Sequence, residues 1–278
     1  LPLDKKMIDT ELARRQKGYG RGGRMAIEKD RVEIVSGLRF GITTGSPLSL
    51  IIKNRDWENW QEEMAVWSGK SRGKVTLPRP GHCDLAGALK YGHDDIRNVL
   101  ERSSARETAM RVCIGAVLKQ LLARFGITMG GQVISIGQVE TGDTFRRIAD
   151  ENSDEFEERF AAICEETESN AFRCGDRKVL NRMKEIITAA KEKGDSVGGC
   201  FETAAVGVPA GLGSHVMWDL RLDGAIAAAM MSIPGIKSVE IGLGAESGRR
   251  PGSLVHDTIR SVDPPSPQRG SNRAGGVE

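Results

Sequence analysis

The segment from residue 104 to residue 126 constrains the fold most, because it predicts one long helix with an apolar face. Apolar residues recur there at helical spacing, at Ala105, Ala109, Val112, Cys113, Val117, Leu121, Leu122 and Phe125. Ser104 precedes this run and Glu107 stands three residues later, which predicts a capping box. Gly126 ends the run as a suitable C-terminal cap. We therefore expect a buried stripe along the helix and a ligand site at its start.

Several arginines surround the predicted helix start. They are Arg79, Arg97, Arg102, Arg106 and Arg111. Arginine pairs with phosphate and carboxylate groups through two parallel hydrogen bonds, and the first turn of a helix attracts anions. For an arbitrary helix such a set is more often just a solvated face. Here the RPGH motif at residues 79–82 and the paired serines before the helix favour a phosphorylated or polycarboxylate ligand.

The other patterned segments mix strands and helices. Alternating runs bounded by glycine predict strands at residues 32–41, 48–54, 130–140, 199–208 and 235–241. Helical patterns cover residues 176–193 and 223–231, and the acidic residues 150–168 predict a solvated helical segment. Because these elements follow no regular strand–helix–strand rhythm, the sequence favours an α+β fold over a doubly wound sheet.

A basic, glycine-rich loop, GYGRGGRM, occupies residues 18–25. Its glycines allow the backbone to wrap closely around a ligand. The loop lacks the G-x-G-x-x-G pattern between a strand and a helix, so it does not indicate a dinucleotide-binding fold. A flexible basic loop without a ligand is the alternative interpretation of the same residues.

Composition limits the classes of function. The chain of 278 residues has a formal net charge of +2 and only 5% aromatic residues, which argues against nucleic-acid binding. A non-enzymatic module that binds phosphorylated ligands or nucleic acid is kept as the alternative, because the loop at 18–25 and the C-terminal residues are basic. The sequence contains no apolar run long enough to span a bilayer, and its first residues do not form a signal peptide.

The five cysteines form no CxxC pair and are widely spaced. Neither a disulfide framework nor a metal site is therefore expected, and we interpret all five as reduced thiols. Cys83 stands beside His82, but the sequence gives little support for a nucleophilic role. These features together predict a cytoplasmic protein.

Six strings in the same order resemble the chorismate synthase family. They are RRQKGYGRGGRM, SGLRFGITTGSP, RPGHCD, KYG, RSSARET and GVPAGLGS, and they are distributed over most of the chain, from residue 14 to residue 214. The resemblance implies a single domain over residues 1–278 with a β-α-β sandwich, in which antiparallel sheets surround a helical core, and a homotetramer.

The resemblance also implies a lyase reaction. Members of the family convert 5-enolpyruvylshikimate 3-phosphate to chorismate by 1,4-elimination of phosphate, with reduced FMN that is not consumed overall. NADPH is a candidate reductant for the flavin. The substrate carries one phosphate and two carboxylates, so an arginine-lined pocket matches its charge.

The resemblance assigns roles to residues of this chain. His82 is expected to be the catalytic residue next to the flavin. The positions expected to contact FMN are Arg102, Ser103, Ser104, Pro234 and Gly235. The last two differ from the Gln-Ala or Pro-Ala pair more common in the family, so a contact there would involve the backbone. The positions expected to face the phosphate of the substrate or of NADPH are Arg15, Arg21, Arg79 and Arg106.

Some strings of the family pattern have no counterpart in this chain. They are the opening GESHG segment with a second histidine, the GGISNG turn, a KPTST-type loop and a catalytic aspartate region. We therefore expect a chain that is incomplete at both ends, with no turnover and weak FMN binding by itself. Residues 261–278 are expected to form a flexible tail.

Overall fold

The computed structural model describes residues 1–22, 28–69, 72–104, 106–142, 144–151, 155–262 and 268–277. Contacts divide the chain into two units. Unit 1 comprises residues 1–17 and 21–121, and unit 2 comprises residues 18–20 and 122–278. The single domain over residues 1–278 stays a prediction.

Unit 1 combines helices with two small antiparallel sheets. Its helices are α1 (Lys5–Gln16), α2 (Asp84–Tyr91), α3 (Arg97–Arg102) and α4 (Arg106–Ala123), the last of which ends two residues past the division between the units. Its strands are β1 (Val32–Ser36), β2 (Leu38–Arg39), β3 (Ile42–Thr43) and β4 (Ser49–Ile52), with a 3₁₀ turn at Arg55–Asn59. Strand β1 pairs antiparallel with β4, and β2 pairs antiparallel with β3.

The core of unit 1 lies between α1, β1 and α4. Its buried members are Ile8 and Leu12 of α1, Val32 of β1, and Cys113 and Ala116 of α4. Each large aliphatic side chain buried there contributes about 2 kcal/mol to folding. This core fixes the start of α4 relative to the end of α1, where two of the predicted phosphate-binding arginines lie.

The two ends of α4 match the sequence prediction in part. At the start, Ser104 Oγ accepts a hydrogen bond from the Arg106 N–H at 3.2 Å. The capping box is wrong in its second half, because Glu107 accepts from Arg111 Nε at 2.7 Å instead of reaching back. At the end, Gly126 takes a φ of +75°, which confirms the glycine cap. Ala105 lies outside the described residues.

The apolar stripe of α4 is shorter than predicted. Ala109 and Cys113 are buried and Val117 is half-buried, as expected for a core face. Leu121 and Phe125 are exposed, so the prediction is wrong for the last turn. Spacing alone indicates which residues share a face, but not how far a neighbouring element covers that face.

Unit 2 contains a three-stranded antiparallel sheet and four helices among its described residues. Its helices are α5 (Phe145–Glu151), α6 (Phe156–Ser169), α7 (Leu180–Glu192) and α8 (Leu222–Met231). Its strands are β5 (Thr128–Ile136), β6 (Val139–Glu140), β7 (Gly199–Val206), β8 (Ile259–Ser261) and β9 (Gln268–Arg269). The order in the main sheet is β6-β5-β7, and β8 pairs with β9. Short 3₁₀ turns lie at Arg177–Val179, Trp218–Leu220, Gly244–Arg249 and Gly252–Leu254.

Two strand predictions in unit 2 need correction. Residues 130–140 form a hairpin instead of one strand, because Gly137 turns the chain with a φ of +56°. Residues 235–241 form no strand. The mixture of helices with antiparallel sheets confirms the α+β class, and no helix among the described residues is long and apolar enough to cross a bilayer.

A buried polar contact connects the main sheet of unit 2 to α5. Gln132 Nε2 of β5 donates to Glu202 Oε1 of β7 at 2.8 Å, and Glu202 also accepts from the Phe145 N–H. Burial raises the pKa of Glu202, while these hydrogen bonds oppose the shift. The carboxylate therefore holds the first turn of α5 against the sheet.

The C-terminal residues of unit 2 differ from the expected flexible tail over 268–277. Asp257 accepts hydrogen bonds from Ser271 Oγ at 2.5 Å and from the Arg273 N–H at 2.7 Å. The Asn272 N–H donates to the Ala149 carbonyl at 3.1 Å. The composition of this segment, rich in glycine and arginine, predicted flexibility. In the structure, hydrogen bonds to Asp257 hold the segment in place.

Substitution of Gly130 tests the packing of the main sheet. A Cβ at this position would lie 2.4 Å from Cys164 Sγ and 2.7 Å from the Phe160 ring, so Gly130→Ala is expected to lower the free energy of unfolding by about 1 to 3 kcal/mol. Gly115→Ala is the control, because a Cβ there meets no neighbouring element within 4 Å. It should raise the stability by about 0.5 to 1 kcal/mol. Urea unfolding that gives both variants the same sign would contradict this account.

Candidate active site

Two clusters in unit 1 bring together residues that the sequence singled out. The Asp84 cluster consists of Arg79, His82 and Asp84. The Asp30 cluster consists of Arg15, Glu28, Asp30, Arg106 and Thr108.

Local sequence determines the shape of the Asp84 cluster. Gly81 adopts a φ of +69°, which is left-handed and favours glycine, so the chain turns sharply before α2. Asp84 is the first residue of α2, where a carboxylate also interacts favourably with the helix dipole. The turn brings residues 79 and 82 back against this carboxylate.

Asp84 contacts both partners of its cluster. Its side chain is fully buried, and Oδ2 accepts from Arg79 Nε at 2.9 Å and from the Arg79 backbone N–H at 3.0 Å. Oδ1 lies 3.2 Å from Arg79 Nη2 and 2.6 Å from His82 Nδ1. The hydrogen bond from the Arg79 guanidinium holds the pKa of Asp84 well below its usual range, against the opposing effect of desolvation. The carboxylate is therefore ionised near neutral pH.

The ligand atoms of His82, Cys83 and Asp84 lie within 4.8 Å of one another, which is close enough for a metal ion. Both oxygens of Asp84 already accept from the Arg79 guanidinium. A divalent cation at this point would face a fixed positive charge within the same cluster. The Arg79 guanidinium therefore disfavours a divalent cation at this cluster.

The Asp30 cluster holds two of the predicted phosphate-binding arginines. Arg106 Nη1 donates to Asp30 Oδ1 at 2.5 Å and lies 3.3 Å from Glu28 Oε2. Arg15 Nη1 lies 3.5 Å from Asp30 Oδ2, and Arg15 Nη2 donates to Thr108 Oγ1 at 2.8 Å. Asp30 therefore compensates the charge of two guanidinium groups that come from helices far apart in the sequence.

The four predicted phosphate-binding arginines are not equally available to a ligand. The side chains of Arg15 and Arg106 are only 10% and 16% exposed, whereas that of Arg79 is 54% exposed. Arg21 is exposed, and its charge, together with burial as the larger cause, lowers the pKa of Arg15. Arg79 and Arg21 are therefore the more accessible of the four. Residues 23–25 of the basic loop lie outside the described residues.

The predicted FMN contacts at residues 102–104 form the corner between α3 and α4. Arg102 ends α3 and is exposed. Ser103 Oγ donates to the Val99 carbonyl at 2.8 Å, and Ser104 Oγ caps α4. An exposed guanidinium beside the Ser104 hydroxyl, which accepts from Arg106 and keeps its own hydrogen to donate, suits a phosphate or another anionic group.

Pro234 and Gly235 belong to unit 2 and follow α8. The Ile236 N–H donates to the Ile233 carbonyl at 3.1 Å, which closes a tight turn around the pair. Gly235 adopts a φ of +91°, and a Cβ there would meet no atom within 4 Å. The backbone at this turn is therefore accessible from outside unit 2.

Comparison with known proteins identifies the family. The sequence profile described as Chorismate synthase matches residues 1–278. The chain belongs to the chorismate synthase family. Among its relatives, the chorismate synthase of Aquifex aeolicus (strain VF5) is 52% identical over 280 residues, covering 100% of this chain and 69% of that protein. The chorismate synthase of Symbiobacterium thermophilum is also 52% identical, with coverage of 100% and 70%.

A crystal structure of a chorismate synthase supports the same fold. It has a TM-score of 0.80 and 44% sequence identity to this chain, and the match covers 100% of this chain and 71% of the solved one. This match confirms the family and the α+β fold that the sequence motifs predicted. The role of each site residue stays a prediction.

The sequence analysis of this family member missed three carboxylates. Asp84, Glu28 and Asp30 were not singled out, although each contacts an arginine that was. Asp84 stands inside the RPGHCD string, so its position two residues after His82 was an available signal. The pairing of Asp30 with Arg15 and Arg106 joins distant segments, and no local pattern indicates it.

Substitution of Asp30 tests charge compensation in its cluster. Asp30→Asn removes the charge that Arg15 and Arg106 share, so the free energy of unfolding should fall by about 3 kcal/mol. Glu33→Gln is the control, since Glu33 pairs with Lys53 at an exposed site and should cost less than about 1 kcal/mol. Equal losses in chemical denaturation would show that burial of the Asp30 cluster is unimportant.

Lowering the pH should reduce the contribution of Asp84 to the free energy of unfolding. Its pKa is lower in the folded chain, so the stabilisation is complete above the ordinary pKa of 3.8 and is lost as pH falls through the folded-state pKa. The difference in unfolding free energy between the parent chain and Asp84→Asn should therefore shrink on acidification below about pH 4. Glu58→Gln, at an exposed position, controls for the change in net charge. A difference that stays constant down to about pH 2 in urea titrations would contradict this prediction.

Proposed function

We propose that this chain performs the chorismate synthase reaction, the 1,4-elimination of phosphate from 5-enolpyruvylshikimate 3-phosphate. The observation that carries the proposal is the family match over residues 1–278. The Asp84 cluster adds support, because it places an imidazole and an exposed guanidinium side by side. The reaction breaks one C–O bond to phosphate and one ring C–H bond, so it needs an anion site and a group that handles a proton.

We assign the first contact with the substrate phosphate to Arg79 and Arg21, because both are exposed. Arg79 is held by Asp84 through Nε and Nη2, and the described contacts leave its Nη1 for a ligand. Arg15 and Arg106 are paired with Asp30 and Glu28, so a phosphate would gain direct bonds to them only by competing with these carboxylates. Charge-assisted hydrogen bonds to a phosphate contribute about 1.5 to 3 kcal/mol each.

The cofactor in this proposal is reduced FMN, with NADPH as a candidate reductant. When bound, the flavin supplies an electron to the substrate and recovers it, which side chains cannot do. The corner at Arg102, Ser103 and Ser104 fits an anionic flavin, because it offers an exposed guanidinium and the Ser104 hydroxyl, while Ser103 is held by its bond to the Val99 carbonyl. In unit 2, Pro234 and Gly235 offer accessible backbone. His82 would hold or move a proton next to the flavin.

The proposal extends to assembly and location. We propose a homotetramer, because several large apolar side chains of unit 1 are exposed and need a covering partner. They include Trp57, Trp60, Trp67, Leu77, Leu85 and Leu89. A cytoplasmic location fits an enzyme that takes a phosphorylated biosynthetic metabolite. No comparison favours the alternative of a non-enzymatic phospho-ligand or nucleic-acid binding module.

Anaerobic turnover tests the proposed function. 5-Enolpyruvylshikimate 3-phosphate and dithionite-reduced FMN are supplied to this chain and to a form extended at both ends with the corresponding segments of the Aquifex aeolicus relative. Phosphate release is expected from the extended form, and no turnover is expected from this chain by itself. In the active form, His82→Ala should slow release by about 100-fold or more, since proton transfer by a positioned side chain contributes on that order.

The control for that experiment is His93→Ala, another histidine of unit 1. His93 contacts Asn98 rather than the Asp84 cluster, so its loss should leave the rate within about twofold. Absence of phosphate release from both forms, with bound flavin and substrate verified by titration, would overturn the proposed reaction.

A further inference from the structure

The contacts of Asp84 determine which nitrogen of His82 carries a proton. Asp84 Oδ1 lies 2.6 Å from His82 Nδ1, which is the shortest polar contact of the imidazole among the described residues. The carboxylate is ionised because the Arg79 guanidinium bonds to both of its oxygens. An ionised carboxylate only accepts hydrogen bonds, so Nδ1 must be the donor.

The other side of the ring leads to the same assignment. Arg79 Nη2 lies 3.0 Å from His82 Nε2 and 3.1 Å from Nδ1, and a guanidinium nitrogen can only donate. Because the hydrogen of Nδ1 points to Asp84, the lone pair of Nε2 is the acceptor that remains for Arg79. A neutral imidazole with its proton on Nδ1 gives both neighbours a partner, whereas the opposite tautomer would set the Nδ1 lone pair against the Asp84 carboxylate at 2.6 Å.

We propose that Asp84 is a positioning residue that holds His82 in the Nδ1–H tautomer, leaves Nε2 as the nitrogen that exchanges a proton, and fixes the Arg79 guanidinium beside it. The role of the Nε2 proton in a reaction rests on the proposed function. The tautomer itself does not. Asp84 acts only through its two neighbours, because its own side chain is fully buried.

One carboxylate thus couples the anion-binding arginine to the proton-handling histidine. Displacement of Asp84 would free both side chains together, because no other described contact of His82 is as short and Arg79 gives Asp84 three hydrogen bonds. The coupling explains why a charged residue is buried at the first position of α2. It also explains why Gly81 must turn the chain between the two partners.

Nuclear magnetic resonance of the histidine ring nitrogens tests the tautomer in the unliganded chain. The chain is labelled with ¹⁵N-histidine and studied at a pH well above the usual imidazole range. The His82 signals are identified by their loss in His82→Gln. We expect a protonated Nδ1 and an unprotonated Nε2. An Nε2–H tautomer, or an even mixture of the two forms, would overturn the proposal.

The variant Asp84→Asn makes the test sharper. Arg79 should take the oxygen of the asparagine amide, so the amide NH₂ would face His82 and favour an unprotonated Nδ1. The expected result is a switch of His82 to the Nε2–H tautomer. The matched control is Asp94→Asn, whose carboxylate pairs with Lys74 at the surface and whose loss should leave the His82 signals unchanged. If Asp84→Asn does not fold, the spectrum of the parent chain still decides the question.

Turnover measurements and a Zn²⁺ titration distinguish failure of this inference from failure of the proposed function. In the form that releases phosphate, Asp84→Asn should lower kcat by about 100-fold or more, because the wrong tautomer presents the wrong nitrogen. A protein with the predicted tautomer but no lyase activity would overturn the proposed function and leave this inference intact. Zn²⁺ added to the unliganded chain should leave the Nδ1 signal of His82 in its protonated position, and a shift of Nδ1 to a metal-bound position at stoichiometric Zn²⁺ would overturn the inference.

Discussion

Buried carboxylates that hold arginine side chains are the interaction on which unit 1 depends. Asp30 compensates Arg15 and Arg106, and Asp84 compensates Arg79. A guanidinium left without such a partner in a partly buried place would cost several kcal/mol, so the chain can concentrate positive charge only where it also buries acid. The same pairing limits the motion of each arginine. An anionic substrate therefore meets donors that are already oriented, which reduces the entropy lost on binding.

The Asp30 cluster and the Asp84 cluster differ in how a ligand can interact with them. In the Asp30 cluster, the arginines are nearly covered and paired with carboxylates, so a ligand has little direct access to their donors. In the Asp84 cluster, the arginine is exposed and stands beside a histidine, so direct contact and proton transfer are both available there. The exposure of Arg79 favours it over Arg15 and Arg106 for direct contact with a ligand. The sequence motifs do not make this distinction.

The α+β fold class could largely be predicted from local sequence patterns. The contacts between the side chains of the site could not. The spacing of Ala109 and Cys113 predicted the buried face of α4, and Gly126 predicted its end, because both signals are local. The exposure of Phe125 depends on whether another element covers it, and no pattern within the helix records that. Motif resemblance selected His82 and Arg79, but the partner Asp30 of Arg106 lies in another segment of the chain, and only the folded chain brings them together.

A crystal structure of the protein with bound 5-enolpyruvylshikimate 3-phosphate and FMN tests the central claim most directly, namely that buried carboxylates hold the site's cations in place for an anion. The account predicts a phosphate oxygen within hydrogen-bond distance of Arg79 Nη1. It also predicts that the bonds from Arg79 to Asp84 and from Arg106 to Asp30 persist in the complex. A phosphate bound away from Arg79, or bound to an Arg79 that has left Asp84, would contradict the account.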